Sequence, residues 1–346
     1  MPETQYFSHE LTLSAQSTPP GIKFPAKLAY WTFGSPTSPA VLLPTCYGGK
    51  LADTSPFLYQ KSQDHDAAEP ILSPAKYFII VTGLLSGGES SSPSNTAAPF
   101  DGPRFPRTTY EDNIRLQYAL CQSLGVERLF AYIGFSMGGQ QAYHMSVLFP
   151  DYVENMVCLA GSARTSWHNW SFLEGPKAAL MSSVDFKEGE YGQPENCKLG
   201  KRAFERVYAT WALSPQWFQA QTWKDVGYTS LQNFLDDNWS GHDEDDANDM
   251  LCLLNTWQMG DITLYHPDDQ GDISKSLARI QANCLIFPAR TDQYFPPGDN
   301  EDEVKYLKRG TLRCIDSVWG HVAAGGGGTK EDTAFIISEI KAFLGI

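Results

Sequence analysis

The stretch YIGFSMGGQQAY, residues 132–143, joins an apolar run to a helix-like one through a serine flanked by glycines. Within it, Gly134-Phe135-Ser136-Met137-Gly138 fits the pattern G-x-S-x-G. In that pattern a sharp strand-to-helix turn lifts the serine oxygen above a sheet edge, and small neighbours relieve the crowding. Five residues alone are a weak signal, and the context strengthens it. The apolar run LFAYI precedes the serine, and an amphipathic run closed by Pro150 follows. Ser136 is therefore the candidate nucleophile, weighed against a tight turn that carries an incidental serine.

A serine hydroxyl attacks only when a base takes its proton, and the base is usually oriented by an acid. The chain has seven histidines. His144 lies roughly 12 Å from Ser136 along the same helix at 1.5 Å per residue, too far to touch it. His9 and His65 precede the serine, while His168, His242 and His266 fall in a tryptophan-rich middle stretch. His321 follows the last strand-like run, in Val318-Trp319-Gly320-His321. It alone satisfies the chain order nucleophile, acid, histidine with a full strand between. For the acid, Asp292 follows the run CLIFPA in Arg290-Thr291-Asp292-Gln293. Its competitor Asp316 stands only five residues before His321 and would require the chain to double back. An oxyanion would be met by the amide of Met137 and by one from the loop after AVLLPT, at Cys46 or Tyr47.

Around these residues, strand-like runs alternate with helical ones. Candidate strands are 28–33, 41–46, 77–82, 129–135, 155–160, 284–289 and 312–315. Helices are expected after Thr108, Ser136, Pro297 and Thr329, the first stopped by Gly125. The alternation implies a mostly parallel sheet flanked by helices, an α/β fold. From 162 to 278 the rhythm changes to helix-like runs that hold seven of the nine tryptophans. This segment reads as a helical insertion between two strands. Its tryptophans form its own core, or in a few cases the roof of a pocket. The acidic tract HDEDD, 242–246, lacks a metal-ligand spacing and reads as a solvated loop.

A formal charge of −14 with no basic stripe argues against nucleic acid or an anionic membrane as partner. Seven widely spaced cysteines without a C-x-x-C pair suit reduced thiols of a cytoplasmic protein. The first residues, MPETQYFSHELTLSAQ, have no apolar run of the signal-peptide kind, and no stretch reaches the length of a membrane span. Neither a metal nor a cofactor is called for, and a homodimer is left open as the assembly.

Several segments together carry a family resemblance. They are GFSMGGQ (134–140), PSN with FDGPRFPRTTYEDN (93–113), DANDMLCLLNTWQMGDIT (246–263), TDQYFPP (291–297) and SVWGH (317–321). They resemble the homoserine O-acetyltransferase group of the α/β-hydrolase superfamily, from about residue 40 to the C-terminus. The resemblance implies the α/β-hydrolase fold, with a core of 1–161 and 279–346 and a helical lid of 162–278. It also implies a Ser136, Asp292, His321 triad that passes an acyl group through an acyl-enzyme. Two departures weaken homoserine as acceptor. Val322, not aspartate, follows His321, and the stretch before DANDM is acidic where the family carries an arginine that grips the amino acid carboxylate. The expected activity is hydrolysis of an ester or thioester of a small, fairly apolar molecule. Acyl transfer from an acyl-CoA to another alcohol is the alternative, and a non-catalytic binding protein the remote one.

Overall fold

Leu129–Phe135 forms the middle of an eight-stranded sheet. The structure is a computed structural model and describes residues 2–60, 70–241 and 244–346; His65 and His242 lie outside them. The strands are β1 (Gln5–Thr12), β2 (Lys23–Phe33), β3 (Ala40–Pro44), β4 (Phe78–Thr82), β5 (Leu129–Phe135), β6 (Val153–Leu159), β7 (Asn283–Phe287) and β8 (Gly310–Leu312). Their order across the sheet is β1-β2-β4-β3-β5-β6-β7-β8. β2 runs antiparallel to both β1 and β4, and every other pairing is parallel.

The parallel part is buried on both faces, which is why its strands read as unbroken apolar runs. Side chains alternate between the two faces with period two. Leu42, Ile80, Tyr132, Met156 and Ile286 enter one core cluster. Their neighbours Val41, Ile79, Ile133, Val157 and Leu285 enter the other. Helices 110–123 and 137–148 follow β4 and β5, and the chain closes with helix 330–344. Sequence and structure agree on helix starts because the caps are local chemistry. The Thr109 amide donates to Asp112 Oδ2 at 2.8 Å, and the Asp332 amide donates to Thr329 Oγ1 at 3.1 Å. Gly125, at φ +77°, follows the first of these helices where the left-handed conformation ends it.

β6 ends at Leu159 and β7 begins at Asn283. Between them the chain is helical: 167–181, 198–212, 231–238 and 247–258 are the longer pieces. Phe172, Phe204, Tyr208 and Trp257 from these helices pack with Met137 and Tyr294 in a third apolar cluster above the sheet. The tryptophans divide. Trp217 and Trp257 are fully buried, whereas Trp167 is 84% exposed. Among the described residues no helix is long and apolar enough to cross a membrane.

Three strands differ from the sequence reading: β2 begins at Lys23, five residues before the expected 28, β8 shares only Leu312 with the expected 312–315, and β1 has no expected counterpart. β1 (QYFSHELT) carries no apolar run, and most of its side chains are exposed. Residue-by-residue antiparallel pairing with β2 holds it at the sheet edge.

Candidate active site

Parallel strands deliver their carboxyl ends to one edge of a sheet, and the loops leaving those ends meet there. At this edge stand Cys46 and Tyr47 after β3, Ser136 after β5, Asp292 after β7 and His321 after β8.

Ser136 occupies φ 58°, ψ −124°, a conformation that non-glycine residues rarely hold. The turn is fastened on both sides. The Ser136 amide donates to Leu159 O on β6 at 2.8 Å, and its carbonyl accepts from the Gln140 amide at 3.1 Å. Gly134 makes the turn sterically feasible, because a Cβ there would fall 2.0 Å from the Gly138 carbonyl oxygen. Met137 is the first residue of helix 137–148. Amides in the first turn of a helix have no acceptor within it, and partial positive charge collects there.

His321 Nδ1 lies 2.7 Å from Asp292 Oδ2, and both side chains are buried. The other carboxylate oxygen, Oδ1, accepts from the amides of Tyr294 at 2.8 Å and Phe295 at 3.0 Å. Such anchoring fixes which ring nitrogen faces the acid and leaves Nε2 for chemistry. Phe135 and Tyr294 flank the imidazole, each with its ring centroid 4.8 Å away. The loops after β7 and β8 are tied together by Thr291. Its hydroxyl donates to Ser317 O at 2.8 Å and accepts from the Gly320 amide at 3.1 Å. Asp316, the competing acid, points to solvent: its side chain is 81% exposed and pairs with Arg290 at 2.6 Å.

The histidine loop also meets the helical segment. A Cβ on Gly320, at φ +61°, would stand 2.6 Å from Ala212 O, and the Ser214 hydroxyl donates to Val318 O. His144 is remote from this chemistry. It is buried beside Tyr110 and Tyr265, and burial pushes its pKa down to about 3.

Ser136 and His321 line one cavity of about 320 Å³. Cys46 and Tyr47 lie on its sheet side, and Glu205, Tyr208, Trp239 and Asp245 come from the helical segment. Burial pushes the Cys46 thiol up to about 12, so it stays protonated and is no rival nucleophile at neutral pH. The Tyr47 hydroxyl donates to Met250 O at 3.0 Å, which braces the loop after β3 against helix 247–258.

Within the acidic tract, Asp245 and Asp246 have structural partners and are not simply solvated. Asp246 caps helix 247–258 by accepting from the amides of Asn248 at 3.0 Å and Asp249 at 3.1 Å, and Asp245 lines the cavity. Sequence reasoning did not single out Glu205. Its one signal is spacing, since Phe204, Glu205, Tyr208 and Ala212 recur at helical intervals and Glu205 sits within that otherwise apolar face.

The profile of the alpha/beta hydrolase fold family matches residues 39–325. The ethyl acetate hydrolase of Pseudomonas veronii is 32% identical over 287 residues, which cover 82% of this chain and 79% of that one. An acetylester hydrolase from Corynebacterium glutamicum superposes with a TM-score of 0.89 at 28% identity, covering 99% of this chain and 96% of that one. A homoserine O-acetyltransferase of Methanosalsum zhilinae is 28% identical over 273 residues, or 73% of this chain and 54% of its own. With that profile spanning six of the eight strands, the helical segment and the loop of His321, the chain belongs to the α/β-hydrolase fold superfamily, in its homoserine O-acetyltransferase-like group, and is a hydrolase or acyltransferase.

Proposed function

We propose that this enzyme hydrolyses short-chain esters through an acyl-enzyme on Ser136. The Ser136 oxygen attacks the ester carbonyl carbon while His321 Nε2 takes its proton and Asp292 holds the imidazolium. The negative oxygen of the tetrahedral intermediate is received by the Met137 amide and by that of Cys46 or Tyr47. When the carbon–oxygen bond to the alcohol breaks, the alcohol leaves with the proton from His321. A water molecule then gives a proton to His321 and attacks the acyl carbon. The carboxylic acid departs, and Ser136 recovers its hydrogen. Residues 162–278 act as a lid that roofs the cavity and limits the water within it.

One observation carries this reading: the buried 2.7 Å pair of His321 and Asp292 faces a cavity that Ser136 also lines. Water is favoured as acceptor because, among the described residues, no lysine or arginine lines that cavity. A homoserine carboxylate would find no lysine or arginine on that lining, and a charge left unpaired in a closed site is unfavourable. The names of the ethyl acetate and acetylester hydrolases among its relatives support a short acyl group.

The test follows the acyl group. Ethyl acetate or p-nitrophenyl acetate should release free acetate, and Ser136→Ala should abolish both that release and labelling by a fluorophosphonate. If added homoserine or a simple alcohol captures most of the acetyl group from acetyl-CoA or from the ester, the enzyme is a transferase. Fluorophosphonate labelling that survives in Ser136→Ala would remove Ser136 from the mechanism.

A further inference from the structure

Helix 198–212 turns Glu205, Tyr208 and Ala212 toward the cavity, at intervals of three and four residues. Glu205 is half-buried, and its carboxylate forms no hydrogen bond or ion pair with any described residue. An acid in that position without a partner is unfavourable. The walls around it are aromatic. Tyr47, Tyr208, Trp239 and Tyr294 all line the same cavity. The Tyr208 ring stands 5.3 Å from Tyr47, 6.1 Å from Trp239 and 4.8 Å from Tyr294. Aromatic faces attract cations, most strongly when the cation has left bulk water. Besides its tyrosines, the other ionisable groups lining this cavity are Asp245, Cys46 and His321, and among the described residues no lysine or arginine lines it. The Lys201 ammonium, one turn before Glu205 on the same helix, donates to Asp245 O at 2.7 Å.

We infer that Glu205 and these aromatic rings form an ammonium-binding subsite, so that the preferred ester carries a cationic amine on its alcohol portion. The assignment to the alcohol rests on the proposed hydrolysis of short acyl esters, since a short acyl group on Ser136 leaves most of the cavity to the alcohol. Glu205 is here a specificity-determining residue and takes no part in bond breaking.

The inference has a distinctive pH signature. Burial, reinforced by Asp245, pushes Glu205 up to about 8, so in the empty cavity its carboxyl group is mostly protonated at neutral pH. Seating a cation favours the ionised form and expels that proton. Preference for a cationic ester therefore grows as pH rises toward about 8 and levels off above it. The groups facing Glu205 are Asp245, Tyr47, Tyr208, Tyr294 and, across the cavity, His321. The three tyrosines are pushed well above 10 by burial and stay neutral over this range. His321 serves both esters of a matched pair alike and cancels from their ratio.

The matched pair is 2-(trimethylammonio)ethyl acetate and its neutral isostere 3,3-dimethylbutyl acetate, compared by kcat/KM between about pH 6 and about pH 9. In the wild type the cationic ester should be preferred by about tenfold or more at the upper end. Glu205→Gln should lower the ratio severalfold, to the share the rings supply, and remove its rise with pH, and Glu205→Asp, which keeps the charge, should restore part of it. A wild-type ratio near one at every pH, or a ratio and pH dependence unchanged in Glu205→Gln, overturns the inference. Binding is read separately, by calorimetric titration of tetramethylammonium into the wild type and Glu205→Gln at about pH 9, where the carboxylate is charged. Binding that Glu205→Gln abolishes supports the subsite even if neither ester is cleaved, and in that case the hydrolytic reading alone falls. Absence of tetramethylammonium binding to the wild type overturns the subsite whatever the esterase activity.

Discussion

Asp292 and Asp316 leave neighbouring strands of one sheet, yet they meet different surroundings. Asp292 is buried, accepts two backbone amides and faces the His321 ring, whereas Asp316 pairs with Arg290 in water. Replacing the carboxylate of Asp292 by an amide leaves a group that can present its N–H to Nδ1 and favour the wrong tautomer. Asp292→Asn is therefore expected to lower kcat by about 10³–10⁴, and Asp316→Asn to change it by less than about twofold. Steady-state kinetics on p-nitrophenyl acetate reads both, and near-wild-type turnover by Asp292→Asn would return the acid role to open contest. The positions of Ser136, Asp292 and His321 could be read in the sequence because each follows a short apolar run in a loop, which local pattern reveals. Glu205 could not. A glutamate on an amphipathic helix reads as solvent-facing, and Glu205 faces a cavity because segments far apart in the chain, among them the loop of Tyr47, pack around that face.

At the scale of elements, the turn between β5 and helix 137–148 has no slack. Because a Cβ on Gly134 would meet backbone atoms of Gly138 at 2.0 and 2.1 Å, Gly134→Ala must move the start of the helix. The expected outcome is a loss of about 2–4 kcal/mol of stability in chemical denaturation, with turnover reduced at least about tenfold even under conditions where the variant is folded. A variant with wild-type stability and activity would show that the turn is more accommodating than this geometry allows. The buried strands were legible to within a residue or two at most of their ends, because a strand covered on both faces must be apolar throughout. β1 was not legible for the complementary reason. It sits at an edge, hides little side-chain surface and is held by backbone pairing that leaves no mark on composition.

For the whole molecule, ionisable groups locked inside the fold shape its response to pH. Glu303 accepts from the Ala163 amide at 2.8 Å and from Asn300 Nδ2 at 3.0 Å, and burial nevertheless pushes it from 4.5 up to about 8. Unfolded, it releases its proton near 4.5; folded, it keeps it until about 8. Its contribution to stability is thus full below about 4.5 and is lost as pH rises through about 8. His144 works in the opposite direction but only between about 3 and 6.5, so above that range it adds no slope. Between about pH 6.5 and about pH 8 Glu303 should cost the wild type about 2 kcal/mol of stability, and Glu303→Gln should lose correspondingly less. Denaturant melts of both proteins at the two pH values read the difference, and identical slopes would mean that Glu303 is already ionised in the folded protein.

The contact of Gly320 and Val318 with Ala212 and Ser214 bears on timing as well as shape. A roof hinged like a door could swing outward and leave the floor untouched. Here the residues at the end of helix 198–212 are buttoned to the loop that carries the imidazole, so moving them as a rigid piece would pull on His321. On the proposed mechanism, traffic through such a roof would therefore be coupled to the readiness of the proton acceptor.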